Sequence, residues 1–246
     1  MFNNTTLNQL RELRLSAMAD CFKEQQNKTG INALSFEERF AFLVEAEWLS
    51  RRNKRTERLV RQAAFRFPAA IEDIDWHGKK GIQKPEIIKH SLGAYIKKAH
   101  NIIFCGPTGV GKTYLACALG YAACTQGIQV MYIRLSDFFR KVCDEHVHFR
   151  DKCSIVPLLI LDDWGLRKFS LDETSELADL FERRYGRAAT IISGQVPSTS
   201  WHELFPDPTQ ADSILDRIVH NAYSYSISGE SMRKTIGKRS LESLDS

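Results

Sequence analysis

Residues Gly106-Pro-Thr-Gly-Val-Gly-Lys-Thr113 restrict this chain more than any others. They fit GxxxxGK[ST] and lie between an aliphatic run with strand character, 102–105, and a helix-type segment, 112–125. Glycines let the backbone turn tightly, so that successive N–H groups point inward at phosphate oxygens. The following helix adds the partial positive charge of its N-terminus. Lys112 reaches the β- and γ-phosphates, and the Thr113 hydroxyl ligates Mg²⁺. Gly106, Pro107, Thr108, Gly109, Val110, Gly111, Lys112 and Thr113 are therefore the candidate contacts to the phosphates of a nucleotide. The four fixed positions arise by accident in about one chain in a hundred of this size, and the strand–loop–helix context lowers that further. Nucleotide binding is a better reading than a chance glycine-rich turn.

The second half of the site is Leu158-Leu-Ile-Leu-Asp-Asp163, about 50 residues on with one β–α unit between. A buried strand ending in a carboxylate places Asp162 beside the phosphate loop, where it holds Mg²⁺ through water, and leaves Asp163 to orient or deprotonate the attacking water. Any strand that ends in a polar loop looks similar, so the spacing carries this assignment.

Short β-type runs at 102–105, 130–133, 158–161, 190–193 and 223–227 alternate with helix patterns at 112–125, 136–145 and 172–185. Such alternation implies a parallel sheet covered by helices on both faces. The first hundred residues read differently, as helices. Thr6-Leu-Asn-Gln9 and Ser35-Phe-Glu-Glu38 have capping-box form. Phe36, Phe40, Leu43 and Val44 recur at i, i+4, i+7, i+8, in a helix that runs past Trp48. Pro68 and Trp76-His-Gly-Lys-Lys-Gly81 read as a break, and a helix over 85–98 leads into the second half. This predicts a small all-helical domain, 1–75, followed by an α/β domain, 76–246.

Composition sets outer limits. Hydrophobic residues at 43% and charged residues at 26% exclude wholesale disorder. The longest apolar runs fall short of the roughly 20 residues that cross a bilayer. No basic start followed by an apolar core marks a secretory signal, and six cysteines without a CxxC pair give no disulfide framework. The expectation is a cytoplasmic protein with no membrane partner. Cys143-Asp-Glu-His-Val-His148 matches no zinc spacing and reads as a solvated helix end. Residues 1–100 hold 18 Lys+Arg against 12 Asp+Glu; the remaining 146 hold 16 against 18. A basic front half points to a polyanionic partner.

These motifs, with Asp212-Ser-Ile-Leu-Asp-Arg-Ile-Val-His-Asn221 and Gly229-Glu-Ser-Met-Arg-Lys234, resemble the IstB-like transposase helper ATPases, a branch of the AAA+ superfamily close to bacterial helicase loaders. The resemblance implies a P-loop NTPase of AAA+ type without a separate lid domain. The 19 residues after position 227 agree with that. It also implies a bacterial protein that hydrolyses ATP with Mg²⁺, assembles as a homo-oligomer on target duplex DNA and recruits a transposase, and so acts in transposition and DNA recombination. It gives Arg217 the role of an arginine acting in trans on a neighbour's nucleotide, Arg233 the sensor-2 position, and Gln195 sensor 1, with Ser193 the alternative. AAA+ ATPases usually carry glutamate where this chain has Asp163, although this branch also uses two aspartates; a side chain one methylene shorter fits slow or partner-dependent hydrolysis.

Residues 51–66 contain seven basic residues and one acidic. On a helix, Arg51, Lys54, Arg55, Arg58 and Arg61 fall within about a 120° arc, opposite Leu49, Val60 and Ala63. Such a stripe can follow a DNA backbone by replacing condensed counterions. Taken alone it reads as a solvated face; the family resemblance turns the balance toward duplex DNA with little sequence preference. Phe138, Phe139 and Trp201 read as packing residues, Trp164 as either packing or a cover for the nucleotide, and His77, His90, His100, His202 and His220 as structural. Two other functions compete. A helicase loader would use the front segment to bind a replicative helicase. A small-molecule kinase would share the phosphate loop but has no use for the two tail motifs.

Overall fold

The computed structural model describes residues 2–27, 30–145, 147–229 and Ser231. The chain divides into two compact units, residues 1–58 and 59–246. The first contains α1 (Phe2–Glu12), α2 (Ser16–Asn27), a 3-10 turn at Ile31–Ala33 and most of α3 (Phe36–Ala63). The capping box at Ser35 forms: its hydroxyl accepts from the Glu38 N–H at 3.2 Å while the Glu38 carboxylate accepts from the Ser35 N–H at 2.8 Å. The box read at Thr6 does not form, because α1 already begins at Phe2 and Thr6 lies inside it.

Glu47 ties α3 to α2. Its buried carboxylate accepts from the N–H groups of Ala17 and Met18, at 3.0 and 3.2 Å, and from Arg51 Nε at 2.8 Å. Ala17 and Met18 belong to the first turn of α2, whose amides have no partner within the helix, so an acid is the favoured group there. Little else in this unit is buried. Leu7 and Ala19 are its buried apolar residues among those described, whereas Phe36, Phe40, Val44 and Trp48 form an exposed ridge along α3.

The units part at residue 58, not at 75. Leu59, Ala63, Ala69 and Ile74 are buried in the core of the second unit with Ile102, Phe104, Leu158 and Ile160. α3 ends at Ala63, where Ala64 takes a φ of 54°. The expected break therefore spans everything up to α4 (Lys84–Ser91). The single helix expected over 85–98 is α4 and α5 (Ala94–Lys97), separated by Gly93 at φ 76°.

The sheet is parallel throughout, in the order β2 (Val130–Arg134), β3 (Leu158–Trp164), β4 (Ala189–Gly194), β1 (Asn101–Cys105), β5 (Ala222–Ser226). Alternate strand residues enter two cores. Ile102, Phe104, Leu158, Ile160 and Ile191 pack on the side of α6 (Lys112–Thr125). Ile103, Leu159, Leu161 and Ile192 meet Phe138 of α7 (Leu135–Glu145), Leu177 and Leu180 of α9 (Leu171–Arg184) and Ile214 of α10 (Pro208–Val219). Burial on both faces explains why β1, β3 and β4 read as continuous aliphatic runs. Two helices absent from the sequence reading complete the layer, α8 (Val147–Ile155) and α10. The latter starts at Asp207, whose carboxylate accepts from the Thr209 and Gln210 N–H groups, with Pro208 at the first helical position.

The aromatic residues pack. Trp164 and Trp201 are fully buried with ring centroids 5.1 Å apart, and Phe138 is fully buried. Trp164 therefore does not cover the nucleotide.

Arg184 closes the amino ends of β3 and β4. It is 1% exposed, donates to the carbonyls of Cys153 and Val156 at 2.6 and 2.9 Å and to Thr190 Oγ1 at 2.9 Å, and also bonds the Ala189 carbonyl. Arg184→Leu would leave these acceptors buried and unsatisfied, at about 1–3 kcal/mol for each that water cannot reach. A loss of about 3–5 kcal/mol is expected, seen as a lower urea midpoint for the near-UV signal of the buried tryptophans.

Candidate active site

β1 lies between β4 and β5, so the loop after Cys105 emerges where neighbouring strands lead into connections of opposite direction, the place where open parallel sheets bind ligands. Gly106 has a φ of 145°, and a Cβ there would stand 2.0 Å from the Ile227 carbonyl oxygen. Only glycine lets the loop leave β1 this close to the end of β5. Gly111, at φ 97°, then turns the chain into α6. Lys112 folds back over the loop and donates to the carbonyls of Gly106 and Pro107 at 2.9 and 2.8 Å. Lys79 holds the loop from outside by donating to the Val110 carbonyl at 2.9 Å.

Asp162 is 1% exposed and accepts three hydroxyl hydrogen bonds: Thr113 Oγ1 at 3.0 Å, Ser193 Oγ at 2.6 Å and Tyr132 OH at 2.7 Å. The first turn of α6 and strands β2 and β4 thus converge on one carboxylate. Burial pushes the Tyr132 hydroxyl up, helped by Asp162, so it stays a donor. Asp163 is half-buried and departs from the strand. β3 carries one extra residue between the pairs Leu161–Ile192 and Trp164–Gly194, and Asp163 takes a φ of 60°. This bulge turns Asp163 to the same opening as Asp162, so that both face the Arg66 guanidinium, at 3.9 and 3.7 Å. Arg134 Nε stands 3.8 Å from Asp163. Desolvation, and then the Asp162 charge, raise the Asp163 pKa above the usual aspartate value; Arg66, Arg134 and Lys112 oppose them.

Arg66, Thr108, Gly109, Gly111, Lys112, Thr113, Asp163, Ser193 and Gln195 line one cavity of about 430 Å³. Gln195 is exposed at its rim, just beyond β4, while the Ser193 hydroxyl is engaged with Asp162. Thr113 Oγ1 and Asp162 Oδ1 form an adjacent pair of hard oxygen donors, and among the described residues no group of three His, Cys, Asp or Glu makes a metal cage. That donor set fits Mg²⁺, which takes few protein ligands and completes its shell with water and phosphate oxygens.

Arg217 lies elsewhere. Its backbone carbonyl accepts from Asn101 Nδ2 at 3.4 Å, at the amino end of β1, opposite the loop. Its side chain bonds Ser213 and pairs with Glu182 of α9, while Asp216 pairs with His220 at 3.2 Å. An ion pair between Asp216 and Arg217 is not what forms. Arg233 lies outside the described residues; of its motif Ser231 is described, and its side chain closely abuts Gly109. Arg51, Lys54, Arg55, Arg58 and Arg61 are all exposed on α3, with Leu59 and Ala63 buried on its other side. Sequence reasoning missed Arg66, Arg134, Tyr132 and Lys79 at the nucleotide site. Arg66 alone gave a signal, as the last cation of the 51–66 run.

The fold and loop define a nucleotide-binding protein of the P-loop class. Residues 8–240 match the family described as IstB-like ATP binding protein, and the chain belongs to that family. It is 37% identical over 245 residues to the insertion sequence ATP-binding protein y4pL of Sinorhizobium fredii, a match covering 98% of this chain and 100% of that one. Among solved structures it is similar to DnaI, with TM-score 0.57 and 21% identity over 70% of this chain and 98% of that one. It is also similar to the DnaC helicase loader, with TM-score 0.53 and 20% identity over 65% and 97%. At these identities the likeness is one of fold.

The approach of Gly106 to β5 gives a direct test. Gly106→Ala places its Cβ against backbone, where no side chain can yield. Nucleotide affinity should fall at least tenfold with a lower melting temperature, read by titration and thermal melting of the same preparation.

Proposed function

We propose that this protein is a Mg²⁺-dependent ATPase that assembles on duplex DNA, with little sequence preference, and recruits or stimulates the transposase of an insertion sequence in the bacterial cytoplasm. The observation that carries this reading is the convergence of Lys112, the Thr113–Asp162 pair and the displaced Asp163 on one cavity, in a chain whose relatives are insertion-sequence ATP-binding proteins. No described helix is long and apolar enough to cross a membrane.

Each residue has a role. The loop amides and Lys112 bind the β- and γ-phosphates. Mg²⁺, when bound, neutralises phosphate charge, with Thr113 and Asp162 to hold it. Asp163 orients the attacking water and accepts its proton; its raised pKa makes it a stronger base than an ordinary aspartate. Gln195 takes the sensor-1 role, since its amide is exposed to the cavity and the Ser193 hydroxyl is occupied by Asp162. Arg233 serves as sensor 2. Residues 1–58, with the rest of α3, supply DNA binding and assembly, and the unit that follows supplies the ATPase. A helicase loader is the alternative, and the likeness to the DnaC helicase loader concerns the fold that both readings share. The exposed cationic stripe on α3 favours duplex DNA.

Two experiments test the reading. Neutralising Arg51, Lys54, Arg55 and Arg58 together should reduce the slope of log K against log salt for duplex binding by roughly four times 0.9, if each meets one phosphate. An unchanged slope moves the DNA site elsewhere. Arg217→Ala and Lys112→Ala proteins, each inactive alone, should regain partial ATPase when mixed on DNA, because one supplies the nucleotide and the other the arginine. Lack of recovery in subunits shown by sedimentation to co-assemble would rule out action in trans.

A further inference from the structure

The nucleotide cavity holds a cation that the loop motif does not assign. After α3 ends, Ala64 reverses the backbone and the chain runs over the mouth of the cavity. Arg66 is the first charged residue of that crossing. Its guanidinium is 3.7 Å from Asp162 Oδ2 and 3.9 Å from Asp163 Oδ2, with the side chain 28% exposed. Both separations exceed hydrogen-bonding range, so the group faces the carboxylates as a charge and is not locked to them in a fork.

Its position along the site follows from Thr113. That hydroxyl is 3.0 Å from Asp162, and in the loop motif it marks the β–γ end of the nucleotide. Arg66 therefore stands at the terminal-phosphate end. The crossing is anchored there through Tyr114. The Phe67 ring stacks on Tyr114, the residue after Thr113, at 6.3 Å, and the Ala70 N–H donates to the Tyr114 hydroxyl at 3.5 Å. The Arg66 guanidinium also lies 5.9 Å from the Phe67 ring. A triphosphate entering this cavity brings its most negative group up to two carboxylates, and a planar guanidinium that presents several donors suits phosphate oxygens better than an ammonium does.

We propose that Arg66 is a further ligand of the terminal phosphate, supplied by the same chain that binds the nucleotide, and that it sets the preference of this site for triphosphate over diphosphate. The proposal rests on the assignment of the cavity to ATP. Arg66 thus differs from Arg217, which lies at the opposite end of the sheet.

The test is equilibrium titration of the full chain with a fluorescent non-hydrolysable ATP analogue and with fluorescent ADP, in magnesium buffer, for the wild type, Arg66→Ala, Arg66→Lys and Lys112→Ala. Loss of one charge-assisted hydrogen-bonded contact should weaken the triphosphate by roughly ten- to a hundredfold in Arg66→Ala, with ADP changed less than about threefold. Arg66→Lys should fall between. The ratio of the two dissociation constants is the readout, since a folding defect lowers the active fraction equally for both. Equal losses for the two nucleotides, or an unchanged triphosphate affinity, would overturn the proposal. Failure of the ATP assignment itself looks different: the wild type would bind neither nucleotide, or Lys112→Ala would bind both as the wild type does.

Discussion

The carboxylate of Asp162 is the contact on which the site depends. A charge this far from water persists only if its lone pairs are filled, and here hydroxyls from α6, β2 and β4 fill them. Each bond fixes a different element at the carboxyl edge of the sheet. The phosphate loop is held between this network at its helical end and the Gly106–Ile227 approach at its strand end. Replacing Asp162 by an apolar residue would release all three hydroxyls at once, so its effects on binding and on folding cannot be separated. The group suited to hold a cation also builds the frame around it.

The bulge in β3 divides the labour between two adjacent acids. In a regular strand, neighbours point to opposite faces, and Asp163 would enter the core occupied by Leu159 and Leu161. One extra residue sends Trp164 into that core instead, against Trp201, and turns Asp163 outward beside Asp162. Aspartate tolerates the left-handed conformation this requires better than most residues, at a cost of about 1 kcal/mol. Glutamate or a β-branched residue would fit that backbone less well. Asp163 is thus also a residue suited to the turn it occupies.

These features show what the sequence could reveal. β1, β2, β4 and β5 were readable to within about a residue, while β3 runs three residues past its expected end to Trp164; burial on both faces leaves continuous aliphatic runs in β1, β3 and β4. The strand order had no local signature, and α8 and α10 lie in stretches where helix and loop patterns compete. Asp207-Pro208 was a usable start signal for α10. Lys112, Thr113, Asp162 and Asp163 were readable because phosphate chemistry imposes their spacing, whereas the bulge depends on how β3 pairs with β4. Arg66 was hidden by its neighbours. At the end of a basic run it counts as one more surface charge, and only the reversal at Ala64 separates it from the helical stripe.

Charge balance gives the proposed assembly a physical basis. The charged groups in and beside the cavity are Lys112, Arg66 and Arg134 against Asp73, Asp162 and Asp163, three of each sign. A further arginine arriving from outside therefore meets no net attraction. A bound triphosphate makes the site negative even with its magnesium, and the same arginine is then attracted. Arg217 cannot answer this attraction within its own chain, because a five-residue strand places it roughly 16 Å away across the sheet. In isolation it is neutralised by Glu182 on α9. Exchanging that exposed partner for a desolvated phosphate on a second copy is favourable only while the terminal phosphate is present. On this reading ATP joins subunits, and its hydrolysis removes the charge that holds them.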